Sequence, residues 1–275
     1  MSKTGAVYVE IGAQRWRAGP EQHDLSIPLA FDGAQPSFFG AAPASAKVLR
    51  AGSFVGDVRA GGSCNCASYS LTPHCNGTHT ECVGHITGEP LSVRDAYRSP
   101  LHVALLVTVD PVRAADTSET STPAPRPDDR LVTRAALASA ADKLQFTGFT
   151  ALVVRTTPND ESKLHRNYDR APAPFFSAEA MRWIVAAGIE HLVTDLPSLD
   201  RADDEGRLTA HRIFWNVAPG SVETTHATRV HATVTELAYV PNTLADGPYL
   251  LNLQIAPFVA DAAPSRPVLL PLRPL

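Results

Sequence analysis

The chain has 275 residues, of which 44% are hydrophobic and 19% charged, and its 24 basic and 28 acidic residues give a net charge of -4. That length and apolar content can build a core without disulfide support. No Lys/Arg block marks a nucleic-acid or membrane-surface partner, no run approaches the roughly 18 apolar residues of a membrane span, and residues 1–12 lack a secretory stretch, so a cytoplasmic protein with neither kind of partner is expected.

In chain order, residues 7–11 alternate weakly, and residues 47–50 and 53–58 look like a strand pair around Ala51 and Gly52. Residues 68–71 read as a strand leading into a turn at Asn76-Gly77. Leu101–Val109 is a near-continuous apolar run, the pattern of a buried strand. Residues 114–129 (AADTSETSTPAPRPDD) are low in complexity and read as a surface loop or connector within one domain spanning residues 1–275. Thr133 can cap a helix running to Leu144, and residues 149–155 (FTALVVR) return to a buried strand. Ser177 caps the clearest helix: Glu179 suits its positive end, Met181, Ile184, Val185 and Ala187 form its apolar stripe, and Gly188 stops it. Residues 189–194 follow at once as a strand, so strand, helix and strand form a βαβ unit with a parallel pairing. From Thr233 the tail is again β-rich. The class is α/β with high β content.

The four cysteines, Cys64, Cys66, Cys75 and Cys82, fall in one short stretch, which in a reducing compartment points to metal or thiol chemistry rather than a disulfide framework. For Cys64 and Cys66 the plainer reading is small buried hydrophobic side chains. Residues 72–85, TPHCNGTHTECVGH, concentrate His74, Cys75, His79, Glu81, Cys82 and His85. Imidazoles and carboxylates are costly to bury without a shared partner, and a metal ion is the economical one. His79 and Glu81 are two apart and share a face of an extended segment. A turn can return Cys75 toward them. Thiolate, imidazole and carboxylate are all zinc ligands, and three of them leave a position for water. His74 substitutes as a ligand only if the turn bulges, because on a strand it faces away from Cys75.

With those residues in place, the sequence resembles the putative cyclase family, which includes bacterial kynurenine formamidases and isatin hydrolases. The family signature H-x-G-T-H-x-D-x-P-x-H aligns with Cys75, Gly77, Thr78, His79, Glu81, Val83 and His85. Cys75, Glu81 and Val83 depart from it. His23-Asp24-Leu25-Ser26, the segment from Thr194 to Asp200, Ala210-His211-Arg212, Thr235-Glu236-Leu237 and Pro264-Ser265-Arg266-Pro267 resemble further family segments in the same order.

The resemblance implies a single mixed-sheet domain of the cyclase-like swivelling β/β/α type. It implies one or two ions, Zn2+ or alternatively Mn2+, with Cys75, His79 and Glu81 on the first. Glu81 would bridge to a second held by His211 and Glu236, and His85 would transfer protons. The implied reaction is hydrolysis of the C–N bond of a small aryl formamide such as N-formylkynurenine, a tryptophan-catabolic substrate, or of a cyclic amide such as isatin. The implied assembly is a homodimer or larger homo-oligomer. Lactone hydrolysis or cyclisation on the same scaffold stays open. So does a drifted metal- or ligand-binding protein, because cysteine is a softer ligand and glutamate a longer one. Phe38 and Phe39 suit either an aromatic substrate or a core or subunit contact. His191 reads as a hydrogen-bonded core residue, His165 as a loop residue, and His102, His226 and His231 lack matching partners.

Overall fold

A computed structural model describes residues 6–224 and 229–275, and the buried runs of the sequence become strands of a closed ring. In chain order these are β1 (His79–Glu81), β2 (Leu101–Val109), β3 (Ala151–Thr156), β4 (His191–Thr194), β5 (Thr233–Glu236), β6 (Gly247–Ile255) and β7 (Ala262–Pro274). Around the ring they follow β7-β6-β2-β3-β4-β5-β1, and β1 pairs back onto β7. β2 to β5 are parallel, as the βαβ reading requires. The other pairings are antiparallel, so the sheet is mixed. The fold class is the expected one, a β-rich mixed α/β domain.

Alternation along the strands divides the apolar residues between two cores. Ala104, Leu106, Ala151, Val153, Val193, Leu251 and Leu253 pack together without any helix residue and fill the ring. Leu105, Val107, Leu152, Val154, Leu192 and Val234 face outward. Over them lie α2 (Arg134–Leu144), α3 (Ala178–Ala186) and α4 (Thr209–Trp215), which contribute Leu137, Met181, Ile184, Phe214 and Trp215; a single-turn helix, α1 (Pro73–Asn76), stands apart before β1. Burying each large apolar side chain contributes roughly 1.5–3 kcal/mol.

The helix ends are where the sequence puts them. Thr133 Oγ1 accepts from the Ala136 amide and Ser177 Oγ from that of Ala180. Gly188 follows α3 at φ +77°, a conformation other residues adopt only with strain. The 114–129 segment runs over the surface, yet it is tied to both helices. Glu119 accepts from the Arg134 and Ala135 amides and from the Ser177 hydroxyl, and Glu179 accepts from the Thr120 amide and hydroxyl.

Two local expectations change. Arg50–Ala51 does pair with Phe54–Val55 around Gly52, but Ser45–Val48 pairs with Ala67–Ser70. The latter strand stops at Ser70, and the chain enters α1 rather than continuing extended into a turn at Asn76. Pro73 sits at the first helical position, where its missing N–H and fixed φ suit a helix start, and Asn76 closes the turn by accepting from the Thr72 amide. No helix of the described residues is long and apolar enough to cross a membrane.

Candidate metal centre

β1 is only three residues long, but it is held between β5 and β7. Its register puts His79 opposite Glu236, while Thr80 and Thr235 meet on the other face through their hydroxyls at 2.7 Å. His79, Glu81 and Glu236 therefore share one face, and all three are buried. Thr78 donates to the Leu237 carbonyl and accepts from the Ile27 amide, locking the strand entrance to two distant segments. His79 Nδ1 lies 3.0 Å from the Gly77 carbonyl, which can only accept. Nδ1 thus donates, and Nε2 faces Glu236 Oε2 at 3.4 Å.

α4 brings the next ring. Leu208, before the helix, has a left-handed backbone and offers no capping side chain, and Asp200 takes that place. Its carboxylate accepts from the Ala210 and His211 amides and, at 2.7 Å, from His211 Nδ1. That bond fixes the ring's orientation. His211 Nε2 donates to Glu81 Oε1, 3.0 Å away, and lies 3.5 Å from Glu236 Oε1. A carboxylate behind a histidine is the usual support for a metal-ligating ring.

A second group lies on the solvent side. His74 on α1 places Nδ1 2.9 Å from Glu81 Oε2, and His85 places Nε2 3.8 Å from the same oxygen. Their other nitrogens, His74 Nε2 and His85 Nδ1, lie 2.9 and 3.3 Å from one oxygen of Asp261. The two rings stack with centroids 4.2 Å apart. His85 reaches this place because the chain turns tightly at Gly84, where a Cβ would lie 2.2 Å from the Leu91 carbonyl oxygen.

These residues fit a divalent ion. His79 Nε2 is buried and has no hydrogen-bond partner, and buried Glu81 Oε2 meets only the imidazoles of His74 and His85. Two imidazole nitrogens face two buried carboxylates, an arrangement that needs positive charge between them, from an ion or from protons. Without an ion, protons take its place. Burial alone would lower His211, yet the Glu81 charge and the bonds to Asp200, Glu236 and Glu81 push it well above its ordinary value. Burial would raise Glu81, yet the His85 and His211 charges hold it well below the usual carboxylate range. His74 is raised to about 10 by its Asp261 and Glu81 partners against the opposing effect of burial. Within ligand distance of one another stand two sets, His79 with Glu81 and Glu236, and His74 with Glu81 and His85.

The structure thus brings His79, Glu81, His85, His211 and Glu236 to one place and leaves Cys75 outside both sets. Neighbours on a helical turn diverge by roughly 100°, so α1 sends His74 toward Glu81 and Cys75 elsewhere. The Cys75 thiol is buried, and its pKa is raised by that burial and by the charges of Asp169 and Glu236. Asp200 and Asp261 have roles that sequence reasoning did not assign. The Thr194 to Asp200 segment at least flagged Asp200, whereas no local pattern marked Asp261. Phe38 is buried with Ile27, Tyr168 and Leu237, and Phe39 is exposed. His191 is buried and meets the Thr233 hydroxyl, His102 meets the Ser99 carbonyl, and His231 meets that of Ala96. His226 lies outside the described residues. A recess of about 990 Å3 opens on the outer side of α4, lined by Arg182, Thr209, Arg212 and Ile213. Thr209, Arg212 and Ile213 lie on the helix face opposite His211, Phe214 and Trp215, so it is not part of the metal centre.

The family model described as Putative cyclase matches residues 23–201. Isatin hydrolase A from Ralstonia solanacearum superposes with a TM-score of 0.61 at 13% identity, covering 91% of this chain and 91% of that one. Isatin hydrolase A from Labrenzia aggregata gives 0.58 at 16% identity, covering 91% and 93%. A predicted metal-dependent hydrolase from Bacillus stearothermophilus gives 0.54 at 14% identity, covering 91% and 98%. At these identities the likeness is one of fold. No curated protein matches the sequence.

Proposed function

The chain belongs to the putative cyclase family, and from that premise we propose that it is a metal-dependent hydrolase cleaving the C–N bond of an aryl formamide or a cyclic amide. The observation that carries the reading is the pair of buried imidazole nitrogens, His79 Nε2 and His211 Nε2, aimed at two buried carboxylates. When bound there, a divalent ion supplies a Lewis acid and a water activated near neutral pH. Nitrogen and oxygen donors of this kind suit zinc or manganese.

The protein's own groups do the rest. His79 and His211 present their Nε2 atoms because the Gly77 carbonyl and Asp200 hold the Nδ1 protons. Glu81 and Glu236 supply negative charge that would hold the ion. His85, about a quarter exposed, stands on the solvent side, from which a proton would reach a departing nitrogen. The choice of amide rests on the isatin hydrolases of the same fold.

The test is metal content of the purified protein together with turnover of N-formylkynurenine and isatin. We expect bound zinc or manganese and hydrolysis of at least one of the two. His79→Ala should lose metal and activity together. Full activity in that variant would sink the reading.

A further inference from the structure

The recess of about 990 Å3 lies between α3 and α4, away from the metal centre. That volume is at the upper end of the roughly 300–1,000 Å3 typical of small-molecule sites. Val185 of α3, Ile213 of α4 and Val217 and Pro219 after it give the recess apolar walls. Charge then narrows what it can hold. Arg182, Arg207 and Arg212 line it beside a single carboxylate, Glu205, in a protein whose net charge is -4.

None of the three guanidinium groups is closely paired. Arg212 is held in place by carbonyls: its Nε donates to Arg207, and its Nη1 donates to Ala218 and Ser221. Among the described residues no carboxylate pairs with it, and its Nη2 has no partner. Arg182 reaches Glu179 only at 3.8 Å, and Glu179 already accepts from the Thr120 amide and hydroxyl. Arg207 reaches Glu205 only at 4.0 Å. Spare donors on guanidinium groups match the oxygens of an anion, and their planar forks suit a carboxylate or a similar oxyanion. A neutral occupant would leave those donors unanswered, and a cation would meet like charge.

We propose that this recess binds an amphiphilic organic anion, with its apolar body against Val185, Ile213 and Val217 and its oxyanion end on Arg182, Arg207 and Arg212. The site is separate from the metal centre, because His211 leaves α4 on the opposite face. It does not depend on the hydrolase reading.

The experiment is calorimetric titration of the full chain with octanoate, and separately with 1-octanol and octyltrimethylammonium, which share its apolar chain. Wild type should take up one equivalent of octanoate. The neutral and cationic probes should bind at least about tenfold more weakly, since each lacks the charge-assisted hydrogen bonds. Arg182→Gln combined with Arg207→Gln should weaken octanoate by about tenfold or more. Ala186→Trp should block it, because Ala186 lines the recess and is exposed, so the larger ring fills the hollow without disturbing the core. Thermal melts of these variants should match wild type. The proposal is overturned if octanol binds as tightly as octanoate, or if wild type takes up no octanoate at millimolar concentration. It is also overturned if octanoate binds the arginine variant and Ala186→Trp as it binds wild type, because the ligand then sits elsewhere.

Discussion

Asp200 uses two oxygens for three bonds: it accepts from the first amides of α4 and from His211 Nδ1. Helix start and the orientation of the His211 ring are therefore set by one carboxylate. Asp200→Asn should lower ion affinity roughly 10–100-fold, measured by competition with a chelator, because an amide can present its NH2 to Nδ1 and turn the ring. An unchanged affinity would show that the ring is held by something else. At this scale the sequence was partly legible. His79 and Glu81 were readable because two-residue spacing on a strand is a strong geometric rule. His211 and Glu236 were readable only through family resemblance, since each is alone in its own segment. The His74 and Cys75 assignments turned on whether the chain before Gly77 was extended or helical, and Pro73 was the residue that decided it. Asp261 comes from a loop 176 residues after His85 and carries no local signal.

Among the elements, the long apolar strands and the two capped helices were readable because their stabilising groups are local: Thr133 and Ser177 at the caps, and uninterrupted apolar residues in β2. What the 114–129 segment does was not readable, because composition shows polarity and not partners. Glu119 satisfies the first amides of α2 and the hydroxyl that caps α3. Glu119→Ala should therefore cost about 1–2 kcal/mol in urea denaturation, more than an ordinary loop substitution. A change within about 0.5 kcal/mol would mean that the segment merely lies over the helices. Gly84→Ala tests a tighter spot. The Leu91 carbonyl leaves no room for a methyl group, and overpacking of this kind costs about 1–3 kcal/mol. Because Gly84 adjoins His85, a displacement should also appear as weaker metal binding. Wild-type stability and affinity together would mean that the 84–91 turn opens freely.

The whole molecule should be acid-sensitive through a residue outside the metal centre. His191 is buried in β4, and that burial, with the His102 and Arg229 charges, lowers its pKa to about 3. A depressed histidine favours the folded state fully above its unfolded value near 6.5, and that stability is lost as pH falls from there toward 3. The loss should be on the order of 4 kcal/mol across the window. His191→Gln should flatten this part of the stability curve between pH 7 and 4. An equally steep curve in the variant would remove His191 as the cause. Metal removal acts on the same quantity, since an ion held at 100 times its dissociation constant contributes about 2.7 kcal/mol. A chelator should lower Tm by roughly 5–10 °C at neutral pH. No shift would mean that the bound ion does not stabilise the native state.

β1 closes the ring by pairing with β7, and Asp261 immediately precedes that last strand. During synthesis on a ribosome, residues 79–81 emerge long before residues 262–264 exist. The short strand then has only part of its final bracing, and the outer pair of rings has no carboxylate to orient it. A nascent chain therefore cannot complete this centre until residues 261–264 have been made, and any ion it takes would be acquired after translation is essentially finished.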